Sequence, residues 1–380
     1  MIQTTSTKIA DFSLWAKMRK RRAAFSFSLE LTARCNNDCR HCFVNLAAND
    51  RSARSGELTL QEISDIADQA LAIGALWVHL SGGEPLLRED FSEIYLLLKR
   101  KGLLVSLFTN ATLIRNEHIE LLKKYPPTNI EVTVYGVTEE TYERVTGRRG
   151  SFAAFMNGMN LLLESGIPVR LKAMAIRTNF RELPEIAKFC RAHTKDFFRF
   201  DPQLIFRTDG DERRNELIKY ERLTPEEFVD LERADDERIS YMLRNCDALI
   251  GTESVHGCND HLFRCAVGNG TFTVSHDGKF LLCSSLRVPG MVYDLRQGTL
   301  AEAWNEFAPK VQNMRSHRPE FLESCRSCDL INLCMWCPAH AYLESGELDK
   351  PIEYFCQVAH ARADAIQGGV NLKQTSMLKE

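Results

Sequence analysis

Residues 26–42 read SFSLELTARCNNDCRHC, a β-rich run closed by three cysteines, Cys35, Cys39 and Cys42, in the spacing CxxxCxxC. The alternating apolar residues over 26–32 predict a strand, which puts the cysteines on the loop at its carboxyl end, where barrel active sites sit. Three thiolates this close can converge on three corners of a four-iron, four-sulfur cube, whereas a fully ligated cube takes four cysteines. One iron is then open to a chelating ligand. The same thiolates with His41 could instead close a zinc site, and spacing alone leaves both readings open.

Outward from this stretch, β-rich runs at 26–32, 76–81, 103–108, 129–135, 168–176 and 198–205 alternate with helical periods at 59–73, 89–101, 115–124 and 152–165. Such alternation predicts βα units around a parallel sheet. Six units over 25–208 make an α/β, partial (β/α)6 TIM-like barrel, since a closed eight-unit barrel needs about 250 residues. Residues 209–245 are densely charged and read as an exposed helical linker. From 246 to 365 strands become short and cysteines crowd, as in a small domain held together by metal. Residues 1–24, with a basic cluster at Lys17, Arg19, Lys20, Arg21 and Arg22, are expected to be an arm, and residues 366–380 a loose tail.

Among 380 residues, 48 Lys and Arg nearly balance 51 Asp and Glu, so no broad basic surface for nucleic acid is expected. No apolar run approaches the roughly 18 residues of a membrane span, and no secretory signal follows the basic cluster. A cytoplasmic protein is expected, and in that compartment 13 cysteines point to metal rather than disulfides.

The CxxxCxxC loop after the first strand, followed by SGGEP (Ser81 to Pro85) after the second, resembles the radical S-adenosylmethionine (radical SAM) superfamily. FTNAT (Phe108 to Thr112) and VTVYG (Val132 to Gly136) fall in the same register. The resemblance implies a catalytic cluster on Cys35, Cys39 and Cys42 that reductively cleaves S-adenosylmethionine to a 5′-deoxyadenosyl radical, which takes hydrogen from a substrate. It implies that Gly82, Gly83 and Glu84 bind the amino group of the methionyl part, that Asn110 and Thr133 lie near the ribose, and that His41 meets the adenine. Relatives carry Ser-Leu-Asp-Gly where this chain has Thr133-Val134-Tyr135-Gly136. Arg144, Arg148 and Arg149 are candidates for the cofactor carboxylate or members of a solvated charge run.

Further on, Cys265 is followed after twelve residues by Gly278 and after four more by Cys283; then come Cys325xxCys328, Cys334xxCys337 and Cys356. FTVSHDGKFLLC (272–283) alternates around Asp277-Gly278, a strong hairpin signal, which returns Cys283 toward Cys265 and Cys258. This order resembles the SPASM extension of radical SAM enzymes, although the gap between Cys334 and Cys337 is two residues where three are usual. The resemblance implies two auxiliary four-iron clusters, one on Cys258, Cys265, Cys283 and Cys337 and one on Cys325, Cys328, Cys334 and Cys356, making three [4Fe-4S] clusters in all. A zinc ribbon on Cys325, Cys328, Cys334 and Cys337 is the alternative. Cys190 reads as a core residue; Cys246 has no assigned partner.

The SPASM resemblance implies maturation of a ribosomally made peptide or protein by oxidation, cross-linking or epimerisation. A separate recognition protein is expected, along with an electron donor such as flavodoxin or ferredoxin. Sulfatase maturation is disfavoured, since those relatives place an aspartate where this chain has Ser284. The alternative reaction is oxidation or decarboxylation of a tetrapyrrole side chain, as in heme biosynthesis; a non-catalytic iron–sulfur electron carrier is the alternative of a different class.

Overall fold

The computed structural model describes residues 17–377 except 19, 195–198, 246–248, 251–259, 264 and 266. The first 16 residues, Cys246 and Cys258 lie outside the described residues.

The six expected strands are present as β1 (Ser26–Thr32), β2 (Trp77–Gly82), β3 (Leu104–Thr109), β4 (Ile130–Val134), β5 (Val169–Met174) and β6 (Arg199–Asp201). Each pairs with the next in parallel. Alternate residues of these strands, Leu29, Val78, Leu80, Val105, Leu107 and Val132 among them, enter one large apolar core. The covering helices are α1 (Leu60–Ala72), α2 (Phe91–Arg100), α3 (Asn116–Lys124), α4 (Glu139–Thr146), α5 (Ser151–Ser165) and α6 (Leu183–His193). α1 begins where Thr59 and Glu62 close a reciprocal capping box, and its buried face is Ile63, Ile66, Ala67 and Ala70, at helical spacing. Cys190 is a buried core residue of α6, as expected.

The hairpin also forms, and its strands pair with the barrel sheet. Its strands β7 (Thr271–Val274) and β8 (Lys279–Leu281) turn at Gly278, whose φ of 80° suits a residue without Cβ. β7 lies parallel to β1, with Ser26 opposite Thr271 and Leu29 opposite Val274. A ninth strand, β9 (Tyr293–Asp294), joins β8, so one open sheet runs β9-β8-β7-β1-β2-β3-β4-β5-β6. Phe27 and Phe272 stack across the seam with ring centroids 5.3 Å apart, and this apolar contact is what draws the hairpin onto the barrel.

Two expectations change. The charged segment folds into α7 (Glu212–Glu221), α8 (Pro225–Arg233) and α9 (Asp236–Arg244), but Glu221, Arg222 and Glu232 within it are buried, so it is not a solvated linker. After α10 (Pro338–Ser345), helix α11 (Glu353–Met377) runs through most of the expected tail. It continues because Ala359, Ala363 and Ile366 pack on Met242 and Leu333, while Arg362 pairs with Glu232 at 2.6 Å. Among the described residues no helix is long and apolar enough to cross a membrane.

Candidate active site

Beyond β1, Arg34–Cys35 pairs with Leu46–Ala47 and closes the cysteine loop upon itself. Cys39 is buried, and Cys35 and Cys42 are half-buried. Burial pushes the Cys35 thiol up to about 12, with Glu84 and Cys42 adding to the effect. Cys39 is driven well above its ordinary value by burial, then by the charges of Cys42 and Cys35. The three thiols therefore share one enclosed region, and a metal bound there must displace their protons. Among the described residues no three His, Cys, Asp or Glu side chains stand close enough to hold a single metal ion.

The glycines of the second motif serve the chain's own backbone. Gly83 N donates to Thr32 O at 2.7 Å and Glu84 N to Arg34 O at 2.9 Å. A Cβ on Gly82 or Gly83 would stand 2.2 Å from those same two carbonyl oxygens, so only glycine lets this turn lie against the strand that delivers the cysteines. Glu84 is fully enclosed and accepts from Thr109 Oγ1 and Asn110 N, each at 2.8 Å, and from Leu86 N at 3.1 Å. Desolvation still outweighs these donors and pushes its carboxyl up to about 7. Three donors leave a carboxylate one further acceptor site, which suits an ammonium group.

Asn110 faces the cysteine loop. Its Nδ2 donates to Asn36 Oδ1 at 3.0 Å and reaches Cys35 Sγ at 3.8 Å, while its Oδ1 accepts from Thr112 N and Oγ1. Both ends of the amide are engaged by protein. Thr133 is half-buried on β4. His41 is buried against Tyr135, with ring centroids 5.3 Å apart. Its Nδ1 has no protein partner, and burial pushes the imidazole down to about 4, hence neutral. An enclosed, neutral ring with an unpaired nitrogen fits a flat heteroaromatic ligand such as adenine. Of the three arginines, Arg144 is spent on Glu140 and the Thr178 carbonyl, Arg149 is exposed, and Arg148 has one buried nitrogen without a partner.

Residues that motif reading missed hold the loop from the other side. Arg207, 2% exposed, donates to Cys42 O at 3.3 Å and to Asn45 O at 3.2 Å. Arg214 donates to Cys39 O at 3.4 Å and pairs with Asp38 at 2.7 Å. Their only trace in the sequence is the mixed-charge run, which looks like any solvated segment.

The remaining described thiols fall into two sets. Cys265, Cys283 and Cys337 line a cavity of about 430 Å³ together with Ser28 and His79, and Cys337, pushed up to about 11 by burial, also responds to Cys265 and Cys283. Cys325, Cys328, Cys334 and Cys356 line a second cavity of about 650 Å³, which Cys265 and Cys337 also border. Cys325, likewise up to about 11 by burial, responds to the other three. The two cavities share Cys265 and Cys337, and Cys258 lies outside the described residues; a zinc ribbon would need Cys337 with Cys325, Cys328 and Cys334. On the face of the strands opposite the apolar core, His79 Nδ1 contacts Ser106 Oγ. Lys172 Nζ lies 3.3 Å from Glu131 and 4.7 Å above the Phe108 ring.

Comparison with known proteins agrees with this arrangement. Residues 29–190 match the radical SAM superfamily and residues 265–329 the SPASM iron-sulfur cluster-binding domain. The chain is 29% identical over 334 residues to an AdoMet-dependent heme synthase of Methanosarcina barkeri, spanning 84% of this chain and 92% of that one. It is 27% identical over 318 residues to a PqqA peptide cyclase of Gluconobacter oxydans, spanning 80% and 82%. Among solved structures, Streptococcus suis SuiB bound to precursor peptide SuiA shares the fold at a TM-score of 0.64 and 19% identity, over 88% of this chain and 76% of that one. The structure of anSMEcpe with bound AdoMet does so at 0.63 and 16%, over 92% and 96%. Motif, sheet and match together make this chain a member of the radical SAM superfamily, an enzyme whose partial-barrel domain is followed by a SPASM iron-sulfur domain.

Proposed function

We propose that this enzyme matures a ribosomally made peptide or protein by oxidation, cross-linking or epimerisation. Cys35, Cys39 and Cys42 hold the radical cluster. Cys265, Cys283 and Cys337, with Cys258, hold one auxiliary cluster; Cys325, Cys328, Cys334 and Cys356 hold the other. When bound, the open-iron cluster and S-adenosylmethionine supply a 5′-deoxyadenosyl radical able to take hydrogen from an unactivated carbon. The chain's own residues position and enclose it: Glu84 offers an acceptor to the amino group, His41 Nδ1 faces the adenine, and Arg207 and Arg214 grip the loop carbonyls. Thr133 remains a candidate ribose contact.

The observation that carries the peptide reading is that all seven described SPASM thiols line two adjoining cavities, which with Cys258 makes the eight ligands that two fully ligated auxiliary clusters need. The barrel interior supports it, because Lys172 is already neutralised by Glu131. That wall offers hydrogen bonds to a peptide and no spare lysine charge to an anionic macrocycle. A flavodoxin- or ferredoxin-type donor would supply the electron, and a separate recognition protein would deliver the peptide.

Anaerobic reconstitution should give about twelve irons per chain for three cubes, and 5′-deoxyadenosine should form when dithionite and S-adenosylmethionine are added. Co-expression with a short reading frame encoded beside this one should yield a peptide lacking two hydrogens or, in D₂O, carrying deuterium at an inverted centre. An unchanged peptide, with a saturable shift in porphyrin absorbance on titration, would instead select tetrapyrrole side-chain chemistry. The likeness to heme synthases favours that second reading.

A further inference from the structure

Two consecutive residues at the end of α7 face different centres. Glu221 is fully enclosed, accepts from the Thr178 amide and hydroxyl at 2.9 and 2.6 Å, and lies 3.0 Å from Arg40 Nε in a close charge contact. Arg40 stands between Cys39 and Cys42. Arg222, also buried, forms a two-pronged ion pair with Glu344 at 2.5 and 3.1 Å. Glu344 belongs to α10, whose N-cap is Cys337. The same guanidinium lies 4.9 Å from the ring centre of Tyr354 and 5.7 Å from that of Phe355, the two residues that precede Cys356 on α11. Arg177 donates to the Arg222 carbonyl at 3.1 Å and holds the joint against the barrel. Two consecutive side chains thus reach Arg40 of the first cysteine loop, the helix that begins after Cys337 and the two residues before Cys356.

The geometry points to Glu221 and Arg222 as a two-sided positioning joint. Ordering of the auxiliary thiols by their metal passes through Arg222 and Glu221 to the Cys39–Cys42 loop and sets how that loop presents its centre to S-adenosylmethionine. The inference rests on the ligand sets proposed above. Its physical basis is that a buried charge left without its partner is costly, so each side of the joint has one good arrangement. Because the two residues are consecutive, Glu221 closing α7 and Arg222 capping it, displacing one displaces the other. Neither residue touches reacting atoms; both act through the loop.

The test uses the full chain, reconstituted anaerobically, with S-adenosylmethionine and dithionite but no peptide. Three quantities are read: iron per chain, the change in the EPR signal of the reduced radical cluster on adding S-adenosylmethionine, and the rate of 5′-deoxyadenosine formation. E344Q cuts the ion pair from its far side; it should slow cleavage about tenfold to a hundredfold, the scale of a small misplacement, and shrink the EPR change with radical-cluster iron retained. R222K, which keeps a single-pronged pair, should fall between E344Q and wild type and guards against misfolding. C356A should slow cleavage similarly, and E344Q/C356A should be no slower than the slower single variant, because both interrupt one path. Wild-type rate and EPR in E344Q, loss of radical-cluster iron in E344Q, or multiplied losses in the double variant would each overturn the joint. The ligand reading fails separately, if C356A keeps the full iron complement; the E344Q arm makes no assumption about Cys356.

Discussion

A carboxylic acid enclosed as Glu84 is, with its value raised to about 7, remains protonated in the folded chain over a range where the unfolded chain has lost its proton. Native protein then binds more protons than unfolded protein between the ordinary value of 4.5 and about 7, so stability falls as pH rises through that window. In cluster-loaded enzyme without S-adenosylmethionine, the melting temperature of E84Q relative to wild type should therefore climb from pH 5 to pH 7.5; a difference constant with pH would refute this. At Gly83 the constraint is steric. G83A brings a Cβ against the Arg34 carbonyl, backbone that cannot swing aside, and should cost about 1–3 kcal/mol, read as a lowered melting temperature together with slower S-adenosylmethionine cleavage. In the proposed ligand sets Cys39 is one of only three ligands to the radical cluster. C39A should lose about four irons per chain and all 5′-deoxyadenosine formation, while the visible absorbance of the other two clusters persists.

Among the elements, the hairpin does most that local reading could not foresee. Its turn was legible, since Asp277-Gly278 between alternating apolar residues specifies two antiparallel strands. Its neighbour was not, because the pairing of β7 with β1 joins segments far apart in the chain and depends on Phe27 and Phe272 meeting. F272A should cost about 3–5 kcal/mol and, by loosening the hairpin that leads to Cys283, release auxiliary iron before radical-cluster iron on mild chelation. Equal release from both would detach the hairpin from the auxiliary centre. The charged helices α7 to α9 are the matching case of misdirection: composition marks them as solvated, yet the buried Glu221, Arg222 and Glu232 find partners supplied by other elements, which no window of sequence contains.

Over the whole molecule, stability is uneven. The parallel sheet shares one continuous apolar core, whereas the stretch around Cys325 to Cys337 leans on a small cluster of Met242, Leu333, Ala359, Ala363 and Ile366, too little burial to hold it without metal. Iron removal should raise hydrogen exchange over residues 322–337 and leave β1 to β5 protected; uniform loss of protection would contradict this division. Periodicity and spacing act within a few residues, so the sequence alone determined the six parallel strands, the hairpin and the cysteine motif of a radical SAM domain. Which remote segments meet depends on complementary surfaces formed by the entire chain, so only the tertiary structure decided that the hairpin extends the barrel sheet, that Asn110 turns to the cysteine loop, and that buried arginines brace that loop from behind.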